Sequence, residues 1–198
     1  MAQTAAMPKV CIIGAGCSGF TTAKRLKDHG IPFDVYEASD DIGGTWYDNK
    51  PNGISACYQS LHIDTSKWRL AFEDYPVPAD WPDYPHHSLL LGYFHDYVDH
   101  FGLREHIRFN TRVEKAQRKA GGGWTITLST GEVKDYDALC VANGHHWAAR
   151  IPEYPGSFSG AQIHSHNYRT PFEPVNCIGK RVLVVGMGNS AMDVASEL

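Results

Sequence analysis

The tightest constraint on this chain lies near its start, where the apolar run Val10 to Ile13 passes straight into Gly14-Ala-Gly16-Cys-Ser18-Gly19. A helical stretch follows as far as Gly30, and Phe33 to Glu37 reads as a second strand. Apolar strands joined by a crossover helix suit a buried parallel sheet, so the fold class is α/β. Within the turn, Gly14 permits the tight bend, Gly16 lets a pyrophosphate approach the backbone and Gly19 lets the helix pack closely. The helix start offers unpaired N–H groups and a partial positive charge to phosphates. Glu37, at the end of the second strand, is placed to accept hydrogen bonds from a ribose. The pattern predicts a Rossmann-like dinucleotide site built on Gly14, Gly16, Ser18, Gly19 and Glu37.

A second unit of the same kind lies near the other end. Arg181 to Val185 reads as a strand, and Gly186-Met-Gly188-Asn189-Ser190-Ala191 follows it, with alanine as an accepted third position. Two such turns imply two dinucleotides, usually a flavin with the nicotinamide that reduces it. The residue that reads a 2′-phosphate falls beyond Leu198, so NADP(H) and NAD(H) are not separated. The expected unit is also incomplete at Leu198, which suggests a piece of a longer protein. The organisation expected is a flavin domain over 1–150, a linker over 151–178 and the start of a nicotinamide domain over 179–198.

Between the turns, Ser39 to Pro85 reads as a long ordered excursion rich in Gly, Pro, Asp and aromatic residues. Leu89, Leu90, Tyr93, Phe94, Tyr97, Val98 and Phe101 recur at helical spacing, with Ser88 as the expected cap and Gly102 as the stop. Ile107 to Val113, Trp124 to Leu128 and Ala138 to Val141 read as further strands, the middle ones forming a meander.

Composition narrows the functional classes. With 18 basic and 22 acidic side chains the net charge is −4, and no Lys/Arg cluster offers a surface to nucleic acid or to anionic lipid. Five cysteines occur without a CxxC pair, which fits a reducing, cytoplasmic setting. No signal peptide or membrane-spanning run is legible. Histidines 86, 87, 145, 146, 164 and 166 lack metal-ligand spacing, so no metal is expected. Ser18, Ser66 and Ser190 lack a nucleophile elbow, and Cys17 shares its turn with the expected phosphate.

Two further segments are dense in unusual residues: Glu37-Ala-Ser-Asp-Asp-Ile-Gly43-Gly44-Thr45-Trp46, and Phe158-Ser-Gly160-Ala-Gln-Ile-His164-Ser-His-Asn-Tyr168. The second is similar to the FxGxxxHxxxY motif, and from Lys9 to Glu197 the chain resembles the flavin-containing monooxygenases. Baeyer–Villiger monooxygenases usually carry Trp where this chain has Tyr168. The resemblance implies an FAD-dependent, NAD(P)H-using monooxygenase that forms a C4a-hydroperoxyflavin and passes one oxygen atom from O2 to a soft nitrogen or sulfur of a small molecule. The alternatives are Baeyer–Villiger oxidation of ketones, or a non-catalytic nucleotide-binding fragment. A flavin disulfide reductase is disfavoured by the missing Cys pair, and homo-oligomerisation is left open.

By the same resemblance, Gly44, Thr45, Trp46, Asp64 and Thr65 lie towards the flavin, and Val113 meets the adenine through its backbone. Gly186, Gly188, Asn189 and Ser190 cradle the nicotinamide nucleotide's phosphates. Ala142-Asn143-Gly144 is a flavin-domain turn, and His164 places the linker. Tyr58 to Lys67 and Asp74 to Pro78 are similar to the family's segment beside the flavin. There the family usually has Asn where this chain has Asp64, a group that only accepts hydrogen bonds when ionised. Asp64 is therefore expected to tune the lifetime of the oxygenated flavin.

Overall fold

The computed structural model describes residues 7–48 and 50–198. Its elements run β1 (Val10–Ile13), α1 (Cys17–Asp28), β2 (Phe33–Tyr36), α2 (Lys67–Leu70), α3 (His87–His100), β3 (Ile107–Arg108), β4 (Val113–Arg118), β5 (Trp124–Leu128), β6 (Val133–Tyr136), β7 (Ala138–Val141) and α4 (Asn189–Glu197). They fall into two compact units. The first comprises residues up to Gly44, Lys50–Asn52 and Phe94–Gly144; the second comprises Thr45–Asn49, Gly53–Tyr93 and His145–Leu198.

The first unit holds a parallel sheet in the order β3-β2-β1-β7, and an antiparallel meander in the order β4-β5-β6. β1 is central because its residues are apolar throughout, and Cys11 and Ile12 are fully buried. Phe20 on α1 packs edge-on against Phe94 of α3 at 5.1 Å and lies 5.6 Å from Tyr97. Cys11, Tyr36, Ile126, Leu128 and Tyr136 form a shared core of sheet and meander, with Val113 and Trp124 at its margin. Burying two tyrosine hydroxyls requires partners. Tyr36 and Tyr136 bond to one another at 2.6 Å, and Tyr136 also donates to Asp34, which pairs with Lys9.

α3 ends where Gly102 stops it: the Leu103 N–H bonds to Val98 O and the Gly102 N–H to Asp99 O, closing the last turn. Its start differs from expectation. The helix begins at His87, and the residue outside it is His86, whose Nδ1 accepts the Ser88 N–H at 3.2 Å. The ring nitrogen does the work of a capping oxygen, and Ser88 lies within the first turn.

The second unit has little regular structure and is held by side chains reaching backbone. Lys67, buried, donates from Nζ to Ala79 O and Trp81 O. Arg169 gives Nη1 to His166 O and Tyr168 O, and Nη2 to Ser55 O. Tyr93 packs with Phe72, Tyr75 and Trp81.

The strands depart from the sequence reading in two ways: β4 and β6 form where none was expected, and two expected strands do not form as read. The expected Ile107 to Val113 strand is split, because Asn110 takes a left-handed φ of 50° and turns the chain before β4 begins at Val113. Arg181 to Val185 forms no strand among the described residues. Its apolar side chains lack a neighbouring strand, and Leu183 is 85% exposed.

Candidate functional site

The first glycine turn shows why its residues are what they are. Gly14 sits at φ 97°, and a Cβ there would lie 2.5 Å from Ala142 O on the end of β7. A Cβ on Gly19 would come within 1.9 Å of Gly14 O, so helix and turn close onto one another only without a side chain. A Cβ on Gly16 would meet Gly44 Cα at 3.3 Å, and one on Gly44 would meet Gly16 Cα at 3.0 Å. Gly44 is therefore placed by backbone packing against the turn, and the Gly43 N–H bonds to Ala15 O at 3.2 Å.

Glu37 is buried at the end of β2. Its Oε2 accepts the Ala15 N–H at 2.7 Å and its Oε1 accepts the Ser39 N–H at 2.8 Å. Each carboxylate oxygen retains a further lone pair for an outside donor. The segment beyond is stitched to the turn after β3: the Thr111 N–H bonds to Glu37 O and the Asn110 N–H to Ser39 O. Lys50 lies in the same field, where burial holds its ammonium below the ordinary value against the pull of Glu37 and Asp40. Nothing in the local sequence around Lys50 signals that placement.

No side chain caps α1, and its first turn contains no acidic residue. Its leading N–H groups and the positive end of the helix thus suit an anion. A pyrophosphate at this end fits the residues present, with Gly14, Gly16, Ser18 and Gly19 carrying backbone and Glu37 the ribose-side carboxylate. Burial pushes the Cys17 thiol up to about 11, which keeps it neutral at the start of α1. Val113 is half-buried at the bulged end of β4, against the core shared with β5.

The second unit carries the other sequence-derived residues. Thr45 and Thr65 are exposed, and Trp46 is half-buried in the short turn Gly44–Trp46. Thr45 O accepts the Ser55 hydroxyl at 3.1 Å. Asp64 is exposed, and its carboxylate accepts the side-chain amide of Asn189, so these two are brought together.

α4 repeats the design of α1: Gly188 is its uncapped N-cap, and no acid lies in its first turn. Gly186 and Gly188 are exposed, and Ser190 is half-buried with its hydroxyl beside Tyr58. Below them, Tyr58 donates to Asp193, Ser60 to Glu197 at 2.7 Å and Tyr168 to Glu197 at 2.8 Å. The residues at 189, 193 and 197 share one face of α4 by helical spacing, and all bond to the segment from Tyr58 to Asp64 or to Tyr168. Burial and its bond to Asp193 raise the Tyr58 hydroxyl well above its usual range. Burial and Glu197 raise Tyr168 likewise.

A parallel sheet whose central strand turns on glycines into an uncapped helix defines the dinucleotide-binding α/β class. The chain belongs to the flavin-binding monooxygenase-like family, whose model it matches over residues 7–198. It is 39% identical over 203 residues to a Mus musculus protein named dimethylaniline monooxygenase (N-oxide-forming) 2, covering 96% of this chain and 37% of that relative. The chain thus spans little more than a third of the curated relative's length. Among solved structures, Tmm from Pelagibacter sp. strain HTCC7211 superposes with a TM-score of 0.85 at 30% identity, covering 96% of this chain and 48% of that one. OTEMO, solved in complex with FAD and NADP, gives a TM-score of 0.64 at 30% identity over 83% of this chain and 31% of that one.

Among the described residues no helix is long and apolar enough to cross a membrane. Nor do any three or more His, Cys, Asp or Glu among them gather as a metal site.

Proposed function

We propose that this chain is the nucleotide-binding part of an FAD-dependent, NAD(P)H-using monooxygenase that transfers one oxygen atom of O2 to a soft nitrogen or sulfur nucleophile. The observation that carries the reading is the uncapped start of α1, cradled by glycines that admit no side chain and flanked by buried Glu37. In balance, NAD(P)H, a proton, O2 and the nucleophile give NAD(P)+, water and the oxygenated product. FAD, when bound, supplies the passage from two-electron reduction to activation of oxygen.

The chain's residues bind and orient. Gly14, Gly16, Ser18 and Gly19 present backbone to the pyrophosphate, and Glu37 accepts from the ribose. Gly44, Thr45, Trp46 and Thr65 lie towards the flavin, and Val113 towards the adenine. The α4 start, with Gly186, Gly188, Asn189 and Ser190, receives the phosphates of the nicotinamide nucleotide. Asp64, acting as acceptor of the Asn189 amide, orients a residue of that cradle. The setting is cytoplasmic, and the partners are O2 and a small molecule.

The test is the visible spectrum of the purified chain with added FAD, followed by product analysis with a thioether and a ketone under NADPH. A retained flavin band and a sulfoxide support the reading. A lone ester product shifts it to Baeyer–Villiger oxidation. A chain that binds FAD yet yields no product from either compound points to a nucleotide-binding fragment. A colourless chain overturns the flavin site.

A further inference from the structure

Arg104 stands in the short turn Arg104–His106 that follows α3, directly after fully buried Leu103. Its guanidinium spreads to three acceptors. Nη1 donates to Asp41 Oδ1 at 2.9 Å, Nε to Asp99 Oδ1 at 2.8 Å and Nη2 to His95 Nδ1 at 2.9 Å. Asp99 and His95 both lie on α3, so a planar fork is pinned to a rigid helix on two arms and reaches Asp41 with the third. His95 Nε2 also lies 3.8 Å from the other Asp41 oxygen.

On its far side Asp41 adjoins the segment that leads back to the glycine turn. Its Oδ1 accepts the Ile42 N–H at 2.8 Å, and Ile42 is fully buried. The next residue, Gly43, bonds to Ala15 O, and Gly44 lies against Gly16. Residues 38–43 form neither strand nor helix, so regular backbone pairing does not hold them in place.

We propose that Arg104 is a positioning residue for the first glycine turn: it fixes Asp41, and through Asp41 it seats Gly43 and Gly44 against Ala15 and Gly16. The use of that seat by FAD rests on the function proposed above. A half-exposed ion pair adds little to global stability. Holding a loop ready for its ligand removes an ordering cost from binding, so the loss of Arg104 is felt in local order and in affinity.

The experiment compares the whole chain with Arg104→Lys, Asp41→Asn and the double variant. Three quantities are read: the urea midpoint, amide hydrogen exchange at Gly43 without nucleotide, and the FAD dissociation constant from flavin fluorescence. Lysine keeps the charge but cannot span three acceptors. Midpoints close to the parent's are expected, with Gly43 exchange about tenfold faster and FAD binding roughly threefold to tenfold weaker. The double variant is expected to be no worse than either single one.

Unchanged exchange at Gly43, or faster exchange with unchanged FAD affinity, overturns the proposal. So does a fall in the urea midpoint with faster exchange at every amide, which marks a merely structural role. A parent chain that takes up no FAD rejects the cofactor reading instead, and the exchange arm then decides the role of Arg104 alone.

Discussion

The two glycine turns share their first two glycines and a serine and live in different surroundings. Gly14 to Gly19 leaves a buried central strand, meets the end of β7 and is bonded at Ala15 by Glu37 and by Gly43. Gly186 to Ala191 follows a largely exposed, irregular run that joins no sheet among the described residues, and a Cβ on Gly188 would meet open space. What holds the helix of the second turn is a row of side-chain bonds along α4. A glycine pattern therefore specifies turn and helix start by local chemistry, whereas the tightness of the turn comes from what is packed upon it.

The largest expected effect breaks this comparison open. Gly19→Ala forces a Cβ onto Gly14 O and is expected to cost more than ~3 kcal/mol, by the urea midpoint. Gly188→Ala, in open space at an N-cap, is expected to cost less than ~1 kcal/mol in the same measurement. Equal costs would show that the two turns are equally constrained.

A smaller effect sharpens the difference between a turn tied at its backbone by a buried carboxylate and a helix tied by side-chain pairs. Glu37→Gln replaces a buried acceptor of two backbone N–H groups and is expected to lose about 2 kcal/mol. Tyr168→Phe removes one hydroxyl from Glu197, which keeps its bond from Ser60, and is expected to lose about 1 kcal/mol. A reversed order would place the stronger polar tie at α4.

The smallest effect is a pH dependence confined to the first unit. Burial acts to raise the Asp34 carboxyl, but the bonds from Lys9 and Tyr136 outweigh it and hold it below its usual value. A carboxylate depressed in the fold stabilises above its unfolded pKa of ~4 and loses that contribution as pH falls through the folded value. The stability gap between the parent and Asp34→Asn is thus expected to be level above about pH 5 and to shrink below ~4. A gap that stays level through the acid range rules out this tie.

Much of the first unit was legible because its signals are local. β1, α1 and β2 follow from a short apolar run, a glycine turn and a second apolar run, and Gly102 stops α3 by its own conformation. β4 was hidden because Val113–Arg118 is mostly charged and polar, and pairing with β5 makes it a strand. Val182, Leu183 and Val185 misled in the other direction, since a run of valines and leucine forms a strand only beside a partner. The glycines and Glu37 could be read in the site, but Arg104 and Lys50 could not. Arg104 depends on Asp41, far away in sequence, and Lys50 on acidic residues reached across an irregular segment, so neither carries a local pattern.

The contact of Gly16 with Gly44 bears on how the chain acquires its binding surface. Ala15 takes its carboxylate partner from Glu37, 22 positions on, and its carbonyl partner from Gly43, further still. Strand, turn and helix can form early as neighbours in sequence, yet the cradle is finished only when the segment beyond β2 folds back and lays bare backbone against bare backbone. A chain caught before that step would carry every letter of the motif and still offer a nucleotide no finished place to sit.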